Sequence, residues 1–256
     1  MIDGYPLWAV LLIGLGVFAA GFVDGIGGGG GIISVPIYLL AGLPAHFALG
    51  TNKLSSCVGT AVSTGRYLKK GYVDWSLALP SVLLAIGGAY LGTSLQLRVD
   101  ERILKYVLLL VLPLAAAVLL RKKSLPEERG AMPLWKRRLI IWGFSLLIGV
   151  YDGFYGPGTG TFLLIAFCAL GRLDVRSASG NVKVVNLSSN LSALLTSLMA
   201  GKVLIGVGLA AACFSIAGHW LGSGLAIKNG AKIVRPVILA VIALLLVRVL
   251  AELLGL

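Results

Sequence analysis

Charged residues are scarce in this sequence. Only 12% of its 256 residues are Asp, Glu, Lys or Arg, and 58% are hydrophobic, whereas a soluble domain carries about 25% charged residues. Several apolar runs approach or exceed the roughly 20 residues that a helix needs to cross a bilayer. The composition therefore excludes an ordinary soluble domain and predicts an all-α integral membrane protein. The first run has no basic segment before it, so we interpret it as a retained segment and not as a signal peptide.

Acidic residues are the scarcer of the charged types. The chain has 10 Asp and Glu against 22 Lys and Arg, which gives a formal net charge of +12. The cations lie mostly between apolar runs, as is typical of loops held on the cytoplasmic side of a membrane. We therefore expect the lipid bilayer, and no nucleic acid, as the partner of this positive charge.

Residues that carry enzyme chemistry are few. The three cysteines lie inside apolar runs without metal-ligand spacing, and neither an HExxH motif nor a phosphate-binding GxxxxGK[ST] motif occurs. A GxGxxG match at 25–30 lacks the surrounding βαβ unit that would give it meaning. We expect no enzyme, no cofactor and no metal site. Of the two histidines, His46 is interpreted as a loop residue and His219 as a packed or capping residue.

Ten apolar segments and one basic linker describe the chain. The linker is the polar, proline-containing stretch 121–138, which separates a first repeat at 1–120 from a second at 139–256. The predicted segments are 7–23, 32–43, 48–68, 75–97 and 102–120 in the first half, and 139–151, 161–170, 177–200, 203–227 and 233–254 in the second.

The two halves are copies of each other. Asp24-Gly25 matches Asp152-Gly153, ALGTNK at 48–53 matches ASGNVK at 178–183, and GAYLGT at 88–93 matches GHWLGS at 218–223, in order and at nearly constant spacing. Internal repeats are the usual plan of secondary transporters. We interpret the glycines of GAYLG and GHWLG as packing residues.

The relative orientation of the repeats depends on two short segments, 139–151 and 161–170. Neither reaches about 30 Å as a helix, so they either cross the membrane together or form a hairpin that enters and leaves on one side. Hairpins give inverted repeats, and they place more of the cations on the cytoplasmic side than single crossings do. The charge distribution thus favours two inverted halves, each with a glycine-broken helical hairpin plus three spanning helices.

Glycine interrupts the apolar pattern at two equivalent places. Five glycines stand at 27–31, and DGFYGPGTG stands at 152–160. Glycine in a helix interior costs about 1 kcal/mol relative to alanine, and irregular backbone persists inside a bilayer only where protein buries it or a wet cavity faces it. The helix that resumes after each break would point free N–H groups at it, which favours a bound anion. The alternative is that the glycines are packing surfaces.

Polar residues accompany both breaks. Asp24 and Asp152 are either structural caps or proton carriers. Lys53 and Lys183 either snorkel to water or offset the charge of an anion. The amides and hydroxyls nearby either join helices or line a path. The candidate substrate-binding residues are Gly27, Gly28, Gly29, Gly30, Thr51, Asn52, Lys53, Ser55, Gly156, Gly158, Thr159, Asn181, Lys183, Asn186 and Asn190.

Five stretches of the chain resemble one known family. GFVDGIGGGGGIISVP, ALGTNKLSS, KKGYVDW, YDGFYGPGTGTF and ASGNVKVVNLSSNL look like the TauE/SafE family of sulfite exporters and related anion transporters. The resemblance covers nearly the whole chain. It implies a multi-pass protein of the bacterial inner membrane, with two homologous halves, that moves sulfite, organosulfonates or similar sulfur-containing anions. Gly156-Pro157-Gly158 departs from the three successive glycines of the family.

We therefore expect a secondary transporter of a small sulfur-containing anion that binds between the two glycine-rich breaks. An anion channel and a transporter of an unrelated small organic anion are the alternatives. The expected partners are the small anionic substrate and the bilayer, and proton coupling and a homo-oligomer are left open.

Overall fold

The computed structural model describes residues 1–100, 128 and 130–253. The predicted segment 102–120 and the linker residues 121–127 and 129 lie outside this part of the chain. The described helices are α1 (Leu7–Gly27), α2 (Gly31–Leu40), α3 (Ala45–Lys69), α4 (Trp75–Gln96), α5 (Leu134–Phe154), α6 (Thr159–Ile165) with a π-helical turn (Ala166–Leu170), α7 (Val175–Met199), α8 (Ile205–Asn229) and α9 (Ala231–Leu253).

Three of the described helices, α1, α4 and α8, are long and apolar enough to cross a membrane. Large hydrophobic side chains cover their outer surfaces; Leu83 and Leu15, for example, are 67% and 64% exposed. Water disfavours such a surface, whereas lipid tails accept it. The chain is a helical membrane protein, as the composition predicted.

Two helices are too short to cross. The helix Gly31–Leu40 and the continuous helical stretch Thr159–Leu170 are both apolar, and both follow one of the glycine-rich stretches. At 1.5 Å per residue each reaches about half of a bilayer's hydrocarbon thickness.

Helix α5 corrects a sequence expectation. It has 21 residues and begins at Leu134, so the prediction that 139–151 is a short segment is wrong. Its first turns contain cations that we had assigned to the linker. One of them, Arg137, is buried, and its guanidinium donates to the carbonyl oxygens of Gly171 at 2.9 Å and Gly130 at 2.8 Å. The cation therefore belongs to the folded core.

Helix pairs connect the two halves. Helix α1 packs most broadly against α8, and α4 against α5. A Cβ on Gly218 would collide with the backbone of Phe18 and Phe22, and one on Gly88 would collide with the backbone of Leu146 and Val150. These glycines let two backbones approach closely, which agrees with their interpretation as packing residues.

Helices α3 and α7 have 25 residues each and bury many of their side chains. They contact each other and the helices α8 and α4. Both bury polar side chains, with Asn52 and Lys53 on α3 and Asn181, Lys183 and Asn186 on α7. Buried polar groups need partners, and Lys53 and Lys183 meet theirs next to the two glycine-rich stretches.

Candidate functional site

The chain turns between α1 and α2, and again between α5 and α6, at residues with positive φ. Gly28 and Gly29 have φ of 79° and 89°, and Gly156 and Gly158 have φ of 95° and 89°. Glycine adopts this conformation without the steric cost of a Cβ. We call residues 27–31 tip 1 and residues 155–161 tip 2; each includes the first residues of the short helix that follows.

The two tips touch each other. A Cβ on Gly28 would collide with the backbone of Gly160 and Thr161, and a Cβ on Gly31 would lie 3.1 Å from the Cα of Pro157. The hydroxyl of Thr161 donates a hydrogen bond to the carbonyl oxygen of Gly27 at 3.1 Å. The contact between the halves is thus made mostly by backbone, which explains why residues without side chains stand there.

Each tip is tied to the aspartate that precedes it. The N–H of Gly30 donates to Oδ1 of Asp24 at 3.3 Å. At tip 2, the hydroxyl of Thr159 donates to Oδ1 of Asp152 at 2.8 Å. Asp24 thus binds a backbone N–H of its own tip, and Asp152 binds a side-chain hydroxyl of its own tip.

The aspartates and lysines are paired across the halves. Nζ of Lys53 lies 2.9 Å from Oδ1 of Asp152, and Nζ of Lys183 lies 3.0 Å from Oδ2 of Asp24. The four side chains are between 2% and 13% exposed. Lys53 also donates to Oδ1 of Asn190 at 2.9 Å, and Lys183 also donates to the backbone carbonyl of Asp24.

The formal charges of the lysine and the aspartate cancel in each pair. Removing isolated charges from water costs several kcal/mol for each ion, and a paired geometry offsets much of that cost. The lysines thus meet carboxylates in this structure, so neither is an unopposed cation.

A histidine completes the environment of Asp24. His219 is 3% exposed, and its Nε2 lies 3.0 Å from Oδ2 of Asp24. Its Nδ1 lies 3.0 Å from the carbonyl oxygen of Ser215 and 3.3 Å from its hydroxyl. Sequence reasoning expected a packed or capping residue. The burial agrees with that expectation, but the contact with Asp24 was missed, since the two residues lie 195 positions apart.

A small polar cavity lies between the tips, α1, α3, α7 and α8. It leaves about 30 Å³ in which the centre of a water molecule can lie; about 10–15 Å³ of such space holds one water. The cavity therefore has room for a few waters or a small oxyanion. Residues of the candidate set that line it, together with Asp24 and Asp152, are Gly29, Gly30, Asn52, Lys53, Gly156, Gly158, Thr159, Asn186 and Asn190.

Six members of the candidate set do not line this cavity: Gly27, Gly28, Thr51, Ser55, Asn181 and Lys183. Gly27 and Gly28 lie in the contact between the tips, and Lys183 lies behind Asp24. The hydroxyl of Thr51 accepts from the N–H of Leu204 at 3.0 Å. The amide of Asn181 donates to the carbonyl of Ser177 at 2.7 Å. Lining residues that the sequence did not single out include Ser34, Thr60, Ser215 and His219.

Several residues that line this space have polar atoms without a protein partner. Within the described part of the chain, the N–H groups of Gly29 and Gly158 have no hydrogen-bond acceptor, and both glycines line the cavity. Thr60 Oγ1 and Asp152 Oδ2 are buried without a partner. The N–H groups of Gly29 and Gly158 and the hydroxyl of Thr60 are donors that suit an anion, whereas Oδ2 of Asp152 only accepts hydrogen bonds while the carboxyl group is ionised. The described residues include no group of three His, Cys, Asp or Glu that could hold a metal.

Membrane-spanning helices, two short helices that meet tip to tip, and a buried polar cavity between them are features of helical membrane transporters. A family model described as "Sulfite exporter TauE/SafE" matches residues 12–249. The chain belongs to this family.

Named relatives agree with this assignment. The chain is 36% identical to "Probable membrane transporter protein ORF9" of a Sinorhizobium species, over 92% of this chain and 90% of the relative. It is 32% identical to "Probable membrane transporter protein YfcA" of Escherichia coli K12, over 94% and 91%. A probable membrane transporter of Haemophilus influenzae is 34% identical over 86% of each chain. These relatives are named as transporters and not as enzymes. No solved structure shows a significant match.

Proposed function

We propose that the protein is a secondary transporter of a small sulfur-containing anion, such as sulfite or an organosulfonate, in the bacterial inner membrane. The observation that carries the proposal is the cavity between the tips, which is lined by Gly29 and Gly158, two residues whose N–H groups have no acceptor among the described residues. These donors suit the oxygens of an oxyanion, and fixed backbone donors need no reorganisation when it binds.

Side chains around the cavity add further polar contacts. Lys53, Asn186 and Asn190 line it from α3 and α7, and Thr159 lines it from tip 2. In this proposal the ammonium of Lys53 faces the anion while it remains close to Asp152. Lys183 acts from the second layer, because it contacts Asp24 and does not line the cavity.

We further propose that the two repeats are inverted and that one moves against the other, with the linker that precedes α5 on the cytoplasmic side. Reciprocal contacts support a twofold relation between the two halves, which inverted repeats require. The helix that precedes the tip in each half packs on the helix that carries the GAYLG or GHWLG pattern in the other half, α1 on α8 and α5 on α4. The ion pairs follow the same exchange, since the lysine of each half contacts the aspartate of the other.

A ligand screen tests the function. The melting temperature of the purified chain in detergent is measured with sulfite, sulfate, thiosulfate, sulfoacetate and taurine. Chloride at equal ionic strength is the control. A ligand at 100 times its dissociation constant stabilises the folded state by about 2.7 kcal/mol, so a true substrate raises the melting temperature above the chloride control.

Transport is then measured in liposomes that are loaded with the anion that binds. A cavity-filling variant, Ser56→Leu, should remove the ligand-induced shift and the flux together, because Ser56 lines the cavity. If no sulfur-containing anion stabilises the protein more than chloride does, the proposed substrate class is wrong.

A further inference from the structure

His219 occupies a position built for an imidazole ring. The ring lies between α1 and α3 at two glycines, since a Cβ on Gly21 would lie 2.8 Å from Nδ1 and a Cβ on Gly59 would overlap the ring. One edge of the ring faces Asp24, and the other faces Ser215 on its own helix. The surroundings thus hold the ring in one orientation.

Both protonation states of this ring have hydrogen-bond partners. In the neutral state, Nε2–H donates to Asp24 Oδ2 at 3.0 Å, and Nδ1 accepts from the Ser215 hydroxyl at 3.3 Å. In the charged state both nitrogens are donors, and Nδ1–H donates to the Ser215 carbonyl oxygen at 3.0 Å. The exchange needs one proton and a rotation of one hydroxyl group, with no movement of the ring.

The charge of the cavity depends on that proton. Asp24 on α1 faces His219 directly, and Lys183 on α7 acts through Asp24. Lys53 on α3 and Asp152 on α5 line the same cavity. The two carboxylates and two ammonium groups sum to zero, so the cavity region is neutral when His219 is neutral and carries one positive charge when it is protonated. A buried anion favours the positive state, since opposite charges attract strongly where water is excluded.

We propose that Nδ1 of His219 takes up the proton that couples to anion binding, so that the anion enters the cavity together with H⁺. This inference rests on the proposed function and extends it to the coupling ion. Asp152 Oδ2 is the competing proton site, but a proton there would find no protein acceptor in the described part of the chain. Histidine is also the side chain that ordinarily changes charge between about pH 5 and 8.

Calorimetry tests the coupling. The full chain in detergent is titrated with sulfoacetate, whose carboxylate and sulfonate both stay ionised above about pH 6. Titrations near pH 7 in two buffers of different ionisation enthalpy give the number of protons taken up per anion. We expect proton uptake in the natural chain and, by reciprocity, an affinity that falls by up to about tenfold for each unit of rising pH in the range where uptake is measured.

Two variants make the assignment specific. His219→Gln keeps a donor for Asp24 but cannot gain a charge, so it should bind sulfoacetate more weakly at low pH and without proton uptake. The matched control is His46→Gln, which removes the other of the two histidines. His46 contacts Gln96 and does not line the cavity, so this variant should take up protons as the natural chain does.

A second measurement does not depend on the folding of His219→Gln. In His46→Gln labelled with ¹⁵N-histidine, His219 is the one histidine that remains, and its ring nitrogens report protonation directly. Saturating sulfoacetate should move the titration of this ring to higher pH. A titration that sulfoacetate leaves unchanged overturns the proposal.

The calorimetric outcomes separate the two proposals. Sulfoacetate binding without proton uptake in the natural chain overturns the proton site and leaves the anion transporter standing. Full proton uptake in His219→Gln also overturns it and assigns the proton to another group, such as Asp152. If neither sulfoacetate nor sulfite binds, the proposed function itself is contradicted, and the proton site with it.

Discussion

The ammonium nitrogen of Lys53 lies 2.9 Å from Oδ1 of Asp152, and the two residues belong to different halves of the sequence. The equivalent residues, Lys183 and Asp24, form the reciprocal pair at 3.0 Å. Both pairs are buried next to the contact between the tips. The same four residues therefore fix the tips and join the halves.

Neutralising one member of the Lys53–Asp152 pair should destabilise the protein strongly. Asp152→Asn leaves a buried ammonium without its carboxylate, and breaking a buried pair in this way costs about 3–5 kcal/mol. The double variant Lys53→Gln/Asp152→Asn leaves no buried charge at this position and should lose less than either single variant. Denaturant unfolding in detergent measures all three. If the double variant loses the sum of the unfolding free energies that the two single variants lose, the pair is not energetically coupled.

Gly28→Ala should disrupt the contact between the tips. Its Cβ would collide with the backbone of Gly160, at a residue whose φ is 79°. Gly42→Ala is the matched control, because Gly42 has a φ of 90° but no heavy atom within 4 Å of the added Cβ. The control should lose about 1–2 kcal/mol from backbone strain, whereas Gly28→Ala should lose more and transport poorly. If Gly28→Ala and Gly42→Ala lose the same unfolding free energy and the same flux, the contact between the tips is not tight.

Thr161→Val should weaken the junction between the halves without changing its shape. The substitution leaves the buried carbonyl of Gly27 without the hydrogen bond it now accepts at 3.1 Å, which costs about 1–3 kcal/mol. Thr161→Ser retains the hydroxyl and should restore most of the stability. Thermal unfolding of the two variants decides the question, and a serine variant as unstable as the valine variant would rule out the hydrogen bond as the cause.

Gly88→Ala should separate α4 from α5, since its Cβ would lie 2.6 Å from the carbonyl oxygen of Leu146. The neighbouring Gly87 is exposed and has nothing within 4 Å of an added Cβ. Gly87→Ala should therefore be neutral or stabilising by up to about 1 kcal/mol, because alanine favours the helix. Comparing the melting temperatures of these two adjacent variants isolates the packing effect from the helix propensity.

Hydrophobic length predicted most of the helices, because apolar runs bounded by polar or glycine residues are sufficient to locate them in a membrane protein. The predicted segments 48–68 and 203–227 lie close to α3 (Ala45–Lys69) and α8 (Ile205–Asn229). Helix α5 was placed five residues too late, because Lys136, Arg137 and Arg138 have the composition of a loop. Burial of Arg137 by two carbonyl oxygens is a tertiary effect that a hydropathy pattern does not contain.

The site was less predictable than the fold. Repeat equivalence identified Asp24, Asp152, Lys53 and Lys183, but equivalence alone is compatible with pairing inside each half or between halves. Only the crossing of α1 with α8 and of α4 with α5 decides between them. His219 has alanine at the equivalent position of the first half, so the repeat gave no reason to select it, and its contact with Asp24 depends entirely on that crossing.

The packing of α1 on α8 also bears on how the protein is made. During synthesis α1 leaves the ribosome long before α8. The surface of α1 at Phe18 and Phe22, against which Gly218 later packs, is therefore exposed to lipid while the rest of the chain is inserted. The final assembly of the interior is thus a late event that follows the insertion of both halves. A break in the connection between the halves should be tolerated when both pieces are produced together, whereas the first piece produced alone should remain exposed to membrane proteases.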